Sequence, residues 1–309
     1  MVEKCKVVVC VPTYKRTALL ETLLIALEAQ DISEKFCVIL GNNDTASVEH
    51  VFPPFSGSLV EINEIFVSQR GVTAVRNAMI STALKKMPSA EWVACIDDDQ
   101  VPDIDWLRRI VSAGRSTSAD LVGGPVRKIP ASQTFWSAGA TATGFLPTTF
   151  GPVEILNAAG NLLISMKYLR GLERAPFDIA FGKTGGEDYE FFMQAKRSNA
   201  KMVWEPDAKV DEIIPVARLT FKGFTWRSYS TSASQARADK MHHSIAFVGR
   251  KLVRNSIALP VAVTRSLVRT RSPSLATTEL VGRLASLAGT VAGLAGRRLE
   301  RYGTDGQRV

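Results

Sequence analysis

The feature that most constrains the fold is a short apolar run that stops abruptly at three carboxylates. The run from Trp92 to Ile96 suits a buried strand and is too short for a helix, and Asp97-Asp98-Asp99 follows it directly. Pro102 and Asp103 then predict a helix start, with Asp103 as the N-terminal cap. The three acids therefore follow a buried strand, at the sheet edge where open α/β sheets bind ligands.

Three adjacent carboxylates repel one another, and a cation among them reduces that repulsion. Carboxylate oxygens are preferred ligands of Mg²⁺ and Mn²⁺, and the spacing Asp97-x-Asp99 suits a metal ion that also holds a diphosphate. Taken alone, the motif has a simpler interpretation as a solvated acidic turn. The rest of the chain is needed to choose between the two.

The composition is compatible with many globular folds, whereas the net charge restricts the expected partners. The chain has 309 residues, 46% hydrophobic and 22% charged, which is ordinary for a globular protein. Its net charge of +8 favours acidic partners such as nucleotide phosphates, anionic lipid headgroups or nucleic acid. No apolar stretch is long and uncharged enough to predict a membrane-spanning helix. The N-terminus runs straight into a predicted strand, so no secretory signal is expected.

The cysteines form no Cys-x-x-Cys pair, and most of them lie in or beside predicted strands. This pattern predicts buried free thiols in a reducing compartment. The residues concerned are Cys5, Cys10, Cys37 and Cys95.

Predicted strands and helices alternate over the first part of the chain, which is typical of a mainly parallel sheet with helices on both faces. Neither Gly-x-Gly-x-x-Gly after the first strand nor a Walker A loop is present, which argues against a dinucleotide-binding or P-loop fold. The predicted strands cover residues 6–11, 36–40, 60–67 and 92–96, and predicted helices begin at Thr17 and after Arg70-Gly71.

A second acidic motif lies further along the chain. Gly185-Gly186 precedes Glu187-Asp188, which begins a predicted helix that runs to Arg197. A carboxylate at that position is stabilised by the partial positive charge of the helix N-terminus.

The C-terminal part is basic, and its apolar residues recur at helical spacing. The charge-free stretch 284–296 is too short to span a bilayer, so the pattern favours an amphipathic helix at a membrane interface. The alternative is a helix docked on the protein or on another subunit. His242-His243 is expected on a solvated surface. The apolar positions are Leu280, Leu284, Leu287, Val291 and Leu294, with Arg283, Arg297, Arg298 and Arg301 nearby.

In order and spacing, these motifs resemble family-2 glycosyltransferases of the GT-A fold over about residues 5–230. The later motifs look most like the bacterial exopolysaccharide branch, of the succinoglycan glucosyltransferase type. The matching segments are 11–16, Asn43-Asp44, 70–77, Asp97-Asp98-Asp99, Gly185-Gly186-Glu187-Asp188 and Trp226-Arg227.

The resemblance implies a role for each motif residue. Asp188 would be the catalytic base, with Glu187 beside it. Asp99, with Asp97, would hold Mg²⁺ or Mn²⁺, and Asp44 would bind the base of the nucleotide. Arg227 is expected to meet the diphosphate from a closing loop. The implied nucleotide-sugar-binding residues are Pro12, Thr13, Tyr14, Arg16, Asn43, Asp44, Arg76, Asp97, Asp98 and Arg227.

The family also implies the organisation of the chain. Residues 1–230 would form the GT-A domain, with a nucleotide-binding half at 1–124 and an acceptor-binding half at 125–230. Residues 231–309 would be a basic amphipathic helical extension associated with the membrane.

A single base opposite the leaving group predicts inversion, and the absence of Gln-x-x-Arg-Trp favours transfer of one sugar. The expected donor is a UDP-sugar, UDP-glucose first. The expected acceptor is a lipid-diphosphate-linked oligosaccharide in succinoglycan-like exopolysaccharide biosynthesis. The protein would be peripheral at the cytoplasmic face of the inner membrane, or cytoplasmic.

Several alternatives remain open. The acceptor could be another polysaccharide or a glycolipid, and a retaining mechanism is not excluded. A nucleotidyltransferase would need a Gly-rich loop after the first strand, where this chain has Pro12-Thr13-Tyr14. A non-enzymatic basic membrane-binding scaffold is the third possibility.

No nucleic-acid partner is expected. Some relatives have a metal-binding His after the last strand, where this chain has Asp211-Glu212.

Overall fold

The computed structural model describes residues 5–54, 57–142, 146–270 and 273–301. Its strands are β1 (Val7–Thr13), β2 (Phe36–Asn42), β3 (Leu59–Phe66), β4 (Trp92–Ile96), β5 (Gln100–Pro102), β6 (Leu121–Gly123), β7 (Val126–Pro130), β8 (Gly151–Pro152), β9 (Asn161–Ser165), β10 (Met202–Trp204) and β11 (Val210–Ile214). Its α-helices are α1 (Thr17–Glu28), α2 (Val72–Lys86), α3 (Trp106–Thr117), α4 (Ser137–Thr141), α5 (Met166–Arg170), α6 (Glu187–Arg197), α7 (Phe221–His242), α8 (Ile245–Thr270) and α9 (Pro273–Leu294). Short 3₁₀ turns cover Glu49–Val51, Ile179–Phe181 and Val216–Leu219.

The main sheet has the strand order β3-β2-β1-β4-β9-β6-β10-β8, which confirms the predicted α/β class. The pairs β3–β2, β2–β1, β1–β4 and β6–β10 are parallel, and β9 runs antiparallel to both of its neighbours. β2 and β4 are buried at every position, as expected for strands covered on both faces. A smaller sheet has the order β5-β11-β7.

Helix packing explains why the early part of the sequence folds as predicted. α1 buries four leucines on one face, which is the amphipathic pattern of a helix lying on a sheet. Each fully buried leucine contributes about 1.5–3 kcal/mol. Trp106 at the start of α3 is fully buried, and its indole N–H donates to Asn161 Oδ1 at 2.8 Å. The four leucines are Leu20, Leu23, Leu24 and Leu27.

The chain forms two compact units. Unit 1 comprises Met1–Arg127, Phe145–Gly182 and Gln194–Glu212, and unit 2 comprises Lys128–Gly144, Lys183–Met193 and Ile213–Val309. The hydrophobic core around β1, β2 and β4 belongs to unit 1.

The predicted helix cap at Asp103 is wrong. The Asp103 N–H donates to the carbonyl of Lys209 at 3.0 Å, so extended backbone continues past Pro102 beside β11. The helix begins only at Trp106, and the Asp103 carboxylate accepts a hydrogen bond from Arg127 instead. A tertiary strand contact therefore moves the helix cap two residues along the chain, from Asp103 to Asp105.

The prediction of four free thiols is wrong for two of them. Cys5 and Cys37 form a disulfide, whereas Cys10 and Cys95 are free and buried. Cys10 and Cys95 lie opposite each other on β1 and β4. Burial raises the pKa of both thiols, that of Cys95 to about 12.

In unit 2, α9 packs along α7 at very short range. A Cβ on Gly289 would lie 2.0 Å from the carbonyl oxygen of Tyr229, and one on Gly293 would lie 2.3 Å from that of Ala233. The two backbones therefore meet only because both positions are glycine. Among the described residues, no helix is long and apolar enough to cross a membrane.

Candidate functional site

The acidic triplet follows β4 in unit 1, and the loop after β1 holds two of its members. Arg16 Nη1 donates to Asp98 Oδ1 at 3.2 Å and to Asp99 Oδ2 at 2.8 Å. Thr13 Oγ1 donates to Asp98 Oδ2 at 2.9 Å. The Asp98 side chain is only 6% exposed, so this pairing offsets a real desolvation cost. The structure thus brings together four residues that the sequence assigned to one site.

Asp97 forms an ion pair with a different arginine from the one that binds Asp98 and Asp99. Arg76 on α2 donates from Nη2 to Asp97 Oδ1 at 2.7 Å, and its side chain is 5% exposed. The N–H of Asp97 donates to Gln100 Oε1 at 3.1 Å. A Cβ on Gly160 would lie 2.9 Å from Asp97 Oδ2, so a side chain at that position would have to displace the Asp97 carboxylate. Removing one partner of such a pair leaves an uncompensated buried charge, which costs about 3–5 kcal/mol.

Asn43 mainly organises the backbone around it. Its Nδ2 donates to the carbonyls of Val67 and Gln69 at 2.5 and 3.0 Å, and its Oδ1 accepts from the Gly71 N–H at 3.1 Å. Asn43 thereby ties the end of β2 to the loop that leads into α2. Gly71 has φ +113°, a conformation that other residues rarely adopt.

The loop residues near Asn43 are more exposed to solvent than Asn43 itself. Asp44 is half-exposed, and its Oδ1 accepts from the Thr45 N–H at 2.9 Å. The Asp44 N–H donates to Asn42 Oδ1 at 2.8 Å, which is an Asx turn. Arg70 lies over the Tyr14 ring at 4.5 Å from its centroid. Pro12 is opposite Gly41 in the β1–β2 register. Arg70 belongs to the matching segment 70–77, but nothing in the sequence indicated its contact with Tyr14.

The second acidic motif begins α6 in unit 2. Gly185 and Gly186 have φ of +72° and +91°, so this turn requires glycine at both positions. Asp188 is half-buried, and its Oδ1 accepts from the Tyr189 N–H at 2.7 Å. Glu187 is 5% exposed. In the part of the chain that the structure describes, Asp188 pairs with no cation, unlike the members of the triplet.

Residues far along the chain hold the turn before Asp188. The N–H of Arg301 donates to the carbonyl of Lys183 at 2.9 Å, and its Nε donates to Ser230 Oγ at 2.9 Å. A Cβ on Gly185 would lie 2.8 Å from Arg301 Nη1. Arg237 Nη1 also donates to Thr184 Oγ1 at 3.0 Å. No local sequence pattern marks these supports, so they could not be predicted.

Two further contacts fix α6 within unit 2. Tyr189 donates from its hydroxyl to Asp239 at 2.7 Å, and Lys251 donates to the same carboxylate at 2.7 Å. Burial, together with Asp239, raises the pKa of Tyr189. His242 Nε2 lies 3.1 Å from Glu190 Oε1, and both side chains are almost completely buried. The expectation of a solvated His242 is therefore wrong.

Arg227 lies within α7 and not in a loop, which corrects the expectation of a loop position. It is half-buried, and it has no ion-pair partner within the described ranges. Its helical setting gives its backbone little freedom to move as a flap would.

The donor chemistry of the triplet suits a hard divalent ion, since Asp97 and Asp99 offer carboxylate oxygens. Among the residues that the structure describes, no group of three or more His, Cys, Asp or Glu side chains is arranged to hold a metal. A bound ion would therefore need most of its ligands from a diphosphate and water, as Mg²⁺ often does.

A family model and a curated relative both match this chain. The model of the family described as Glycosyl transferase family 2 matches residues 8–181, more than half of the chain. A curated relative, succinoglycan biosynthesis protein ExoM from Rhizobium meliloti (strain 1021), is 26% identical, with 94% of each chain covered.

Two similar solved structures share the fold. S. aureus TarS 1-349 in complex with UDP-GlcNAc is 13% identical with a TM-score of 0.52, covering 94% of this chain and 92% of TarS 1-349. The mannosyltransferase PcManGT from Pyrobaculum calidifontis, in complex with GDP-Man and Mn²⁺, is 15% identical with a TM-score of 0.59, covering 96% and 89%. At these identities the likeness concerns the GT-A fold alone.

Proposed function

Because the chain belongs to glycosyl transferase family 2, we propose that it moves one sugar from a UDP-sugar, glucose first, to a lipid-diphosphate-linked oligosaccharide with inversion. The name of the similar ExoM supports an acceptor in succinoglycan-like exopolysaccharide biosynthesis. TarS binds UDP-GlcNAc and PcManGT binds GDP-Man, so other nucleotide-sugar donors belong in the same screen. Another polysaccharide or a glycolipid is the alternative acceptor.

The proposal rests on a difference in ion pairing between Asp188 and the three carboxylates of the triplet. Asp97, Asp98 and Asp99 are all ion-paired, whereas Asp188 heads α6 with no cation partner among the described residues. An arginine-paired carboxylate already accepts hydrogen bonds from the guanidinium, whereas a carboxylate without such a partner is open to the hydroxyl of an acceptor. In the proposed reaction Asp188 takes the proton of the acceptor hydroxyl. That oxygen bonds to the anomeric carbon, and the bond from this carbon to the diphosphate breaks.

The triplet is the proposed place for a divalent cation. Asp99 and Asp97 would hold Mg²⁺ or Mn²⁺, which when bound stabilises negative charge on the departing diphosphate. Mn²⁺ in PcManGT supports this choice of ion. Arg16 and Arg76 keep the carboxylates in place, and Thr13 fixes Asp98. Tyr14, Asn43 and Asp44 belong to the loops proposed to border the nucleotide.

The proposal is tested by measuring UDP release from UDP-glucose, UDP-GlcNAc and UDP-galactose with Mn²⁺ and extracted lipid-linked acceptors, alongside GDP release from GDP-mannose. We expect acceptor-dependent release of UDP from one donor. If no donor releases its nucleotide and calorimetry detects no UDP binding, the enzymatic proposal is wrong. A scaffold function would then be favoured.

The base assignment has a sharper test. Asp188→Asn should retain Mn²⁺–UDP binding within about twofold and lose transfer by about 10²–10⁴-fold, the usual contribution of a general base. Asp207→Asn is the matched control, because Asp207 is an exposed carboxylate paired with Lys209. Its activity should be unchanged. Turnover by Asp188→Asn near the wild-type rate would remove the base assignment without touching the family.

A further inference from the structure

Helix α8 in unit 2 exposes a continuous apolar stripe. Val253, Ile257, Val261 and Val268 are 58%, 71%, 58% and 71% exposed. Their spacing of four, four and seven residues puts them on one side of the helix. Exposing so many branched apolar side chains to water is costly, so the stripe marks an interaction surface.

Cations border that stripe. Arg250, Arg254 and Arg265 are exposed and, by helical spacing, lie on the same side as the apolar residues or next to them. None of the three has an ion-pair partner among the described residues. On α9, by contrast, Arg283 is paired with Glu279 at 2.7 Å. On α8, unpaired positive charge and exposed apolar area therefore coincide.

We propose that α8 lies in the interface of an anionic membrane, with the Val253–Val268 stripe at the acyl boundary and the arginines at lipid phosphates. The inference rests on the proposed function only in that a lipid-linked acceptor brings the protein to a membrane. Its chemistry is that of a basic amphipathic helix lying in the surface plane. It identifies α8, and not α9, as the membrane-facing element of the extension.

Other occupants of this surface fit the residues less well. Nucleic acid would use the arginines but leave the valines and Ile257 exposed. A two-fold interface with a second copy would bring the same basic face together from both sides, and α8 has no Asp or Glu to pair with Arg250 and Arg254 of the other copy. A spanning helix is excluded for the described residues.

The test uses the full-length protein and sedimentation with vesicles of phosphatidylcholine containing about one third phosphatidylglycerol. Ile257→Ser/Val261→Ser should weaken binding by about tenfold or more, because two apolar side chains no longer enter the acyl boundary. Arg250→Gln/Arg254→Gln should weaken it by roughly tenfold, and high salt should do the same to wild type. Pure phosphatidylcholine should bind wild type much less.

The matched control is Leu280→Ser/Leu284→Ser on α9, which should leave vesicle binding within about twofold. Urea denaturation checks that each double variant stays folded. Equal binding of all variants, or binding lost only in the α9 variant, overturns the proposal. So does a shift of wild type to a dimer that Ile257→Ser/Val261→Ser abolishes, since α8 would then face a second copy. No donor sugar is present, so a failure here leaves the transfer proposal intact.

Discussion

The helices α8 and α9 follow one another in unit 2, and the sequence gives each an apolar stripe with nearby arginines, but they are used differently. α9 docks on α7 through Gly289 and Gly293. Its leucine stripe lies on the opposite side, because Gly289 and Val291 are separated by about 200° around the helix. By contrast, a Cβ on Gly249, the one glycine in the sequence of α8, would meet nothing within 4 Å.

The periodicity of leucines therefore predicts a helix but does not indicate which of its faces is docked. On α9 the docking face consists of small residues, which let two backbones approach closely, and part of the stripe stays exposed. Leu284 and Val291 are 49% and 53% exposed. For α9 the structure therefore shows docking on α7, with part of the leucine stripe left exposed.

The largest expected effect is at Gly289. A Cβ there would lie 2.0 Å from a backbone carbonyl oxygen, which cannot move without shifting α7. Gly289→Val should lower the free energy of unfolding by at least about 3 kcal/mol, measured by urea denaturation. Gly249→Val on α8 is the matched control and should change stability by less than about 0.5 kcal/mol. Equal costs at the two positions would contradict the contrast between the helices.

A smaller loss is expected at Gly282. A Cβ there would lie 2.9 Å from the edge of the Phe224 ring, which stacks on Trp136 with 5.6 Å between ring centroids. Gly282→Ala should cost about 1 kcal/mol, because the better helix propensity of alanine offsets part of the strain. Chemical denaturation gives the value, and near-UV circular dichroism should report the displaced aromatic pair. A stabilised variant would show that the ring has room to move.

The smallest effect has the opposite sign. Gly249→Ala should stabilise the protein by about 0.5–1 kcal/mol, because alanine favours the helix and its Cβ meets no atom. The melting temperature should rise by a few degrees at most. A loss of stability would mean that α8 is covered in solution by something that approaches Gly249 closely.

Much of unit 1 could be predicted because its signals are local. The strand Trp92–Ile96 is found with the predicted bounds, since five apolar residues before three acids leave few alternatives. Strands β1, β2 and β3 lie within about two residues of their predicted positions. The grouping of Thr13 and Arg16 with the triplet also follows, because parallel strands end at one edge of the sheet.

What could not be predicted depends on contacts between distant residues. Asp103 fails as a helix cap because β11 captures its backbone. Cys5 and Cys37 pair because β1 and β2 are neighbours, which a spacing of 32 residues does not reveal. The His242 side chain is buried beside the Glu190 carboxylate, with 3.1 Å between Nε2 and Oε1. In each case tertiary structure overrides a local preference.

The hydrogen bond from Arg301 to Lys183 has a consequence for the order in which the protein matures on the ribosome. The core strands of unit 1 that precede residue 170 can pair early in synthesis. The glycine turn ahead of Asp188 gains its last contacts only after more than a hundred further residues have emerged. A nascent chain released early would carry all the motif residues and still lack the support of that turn.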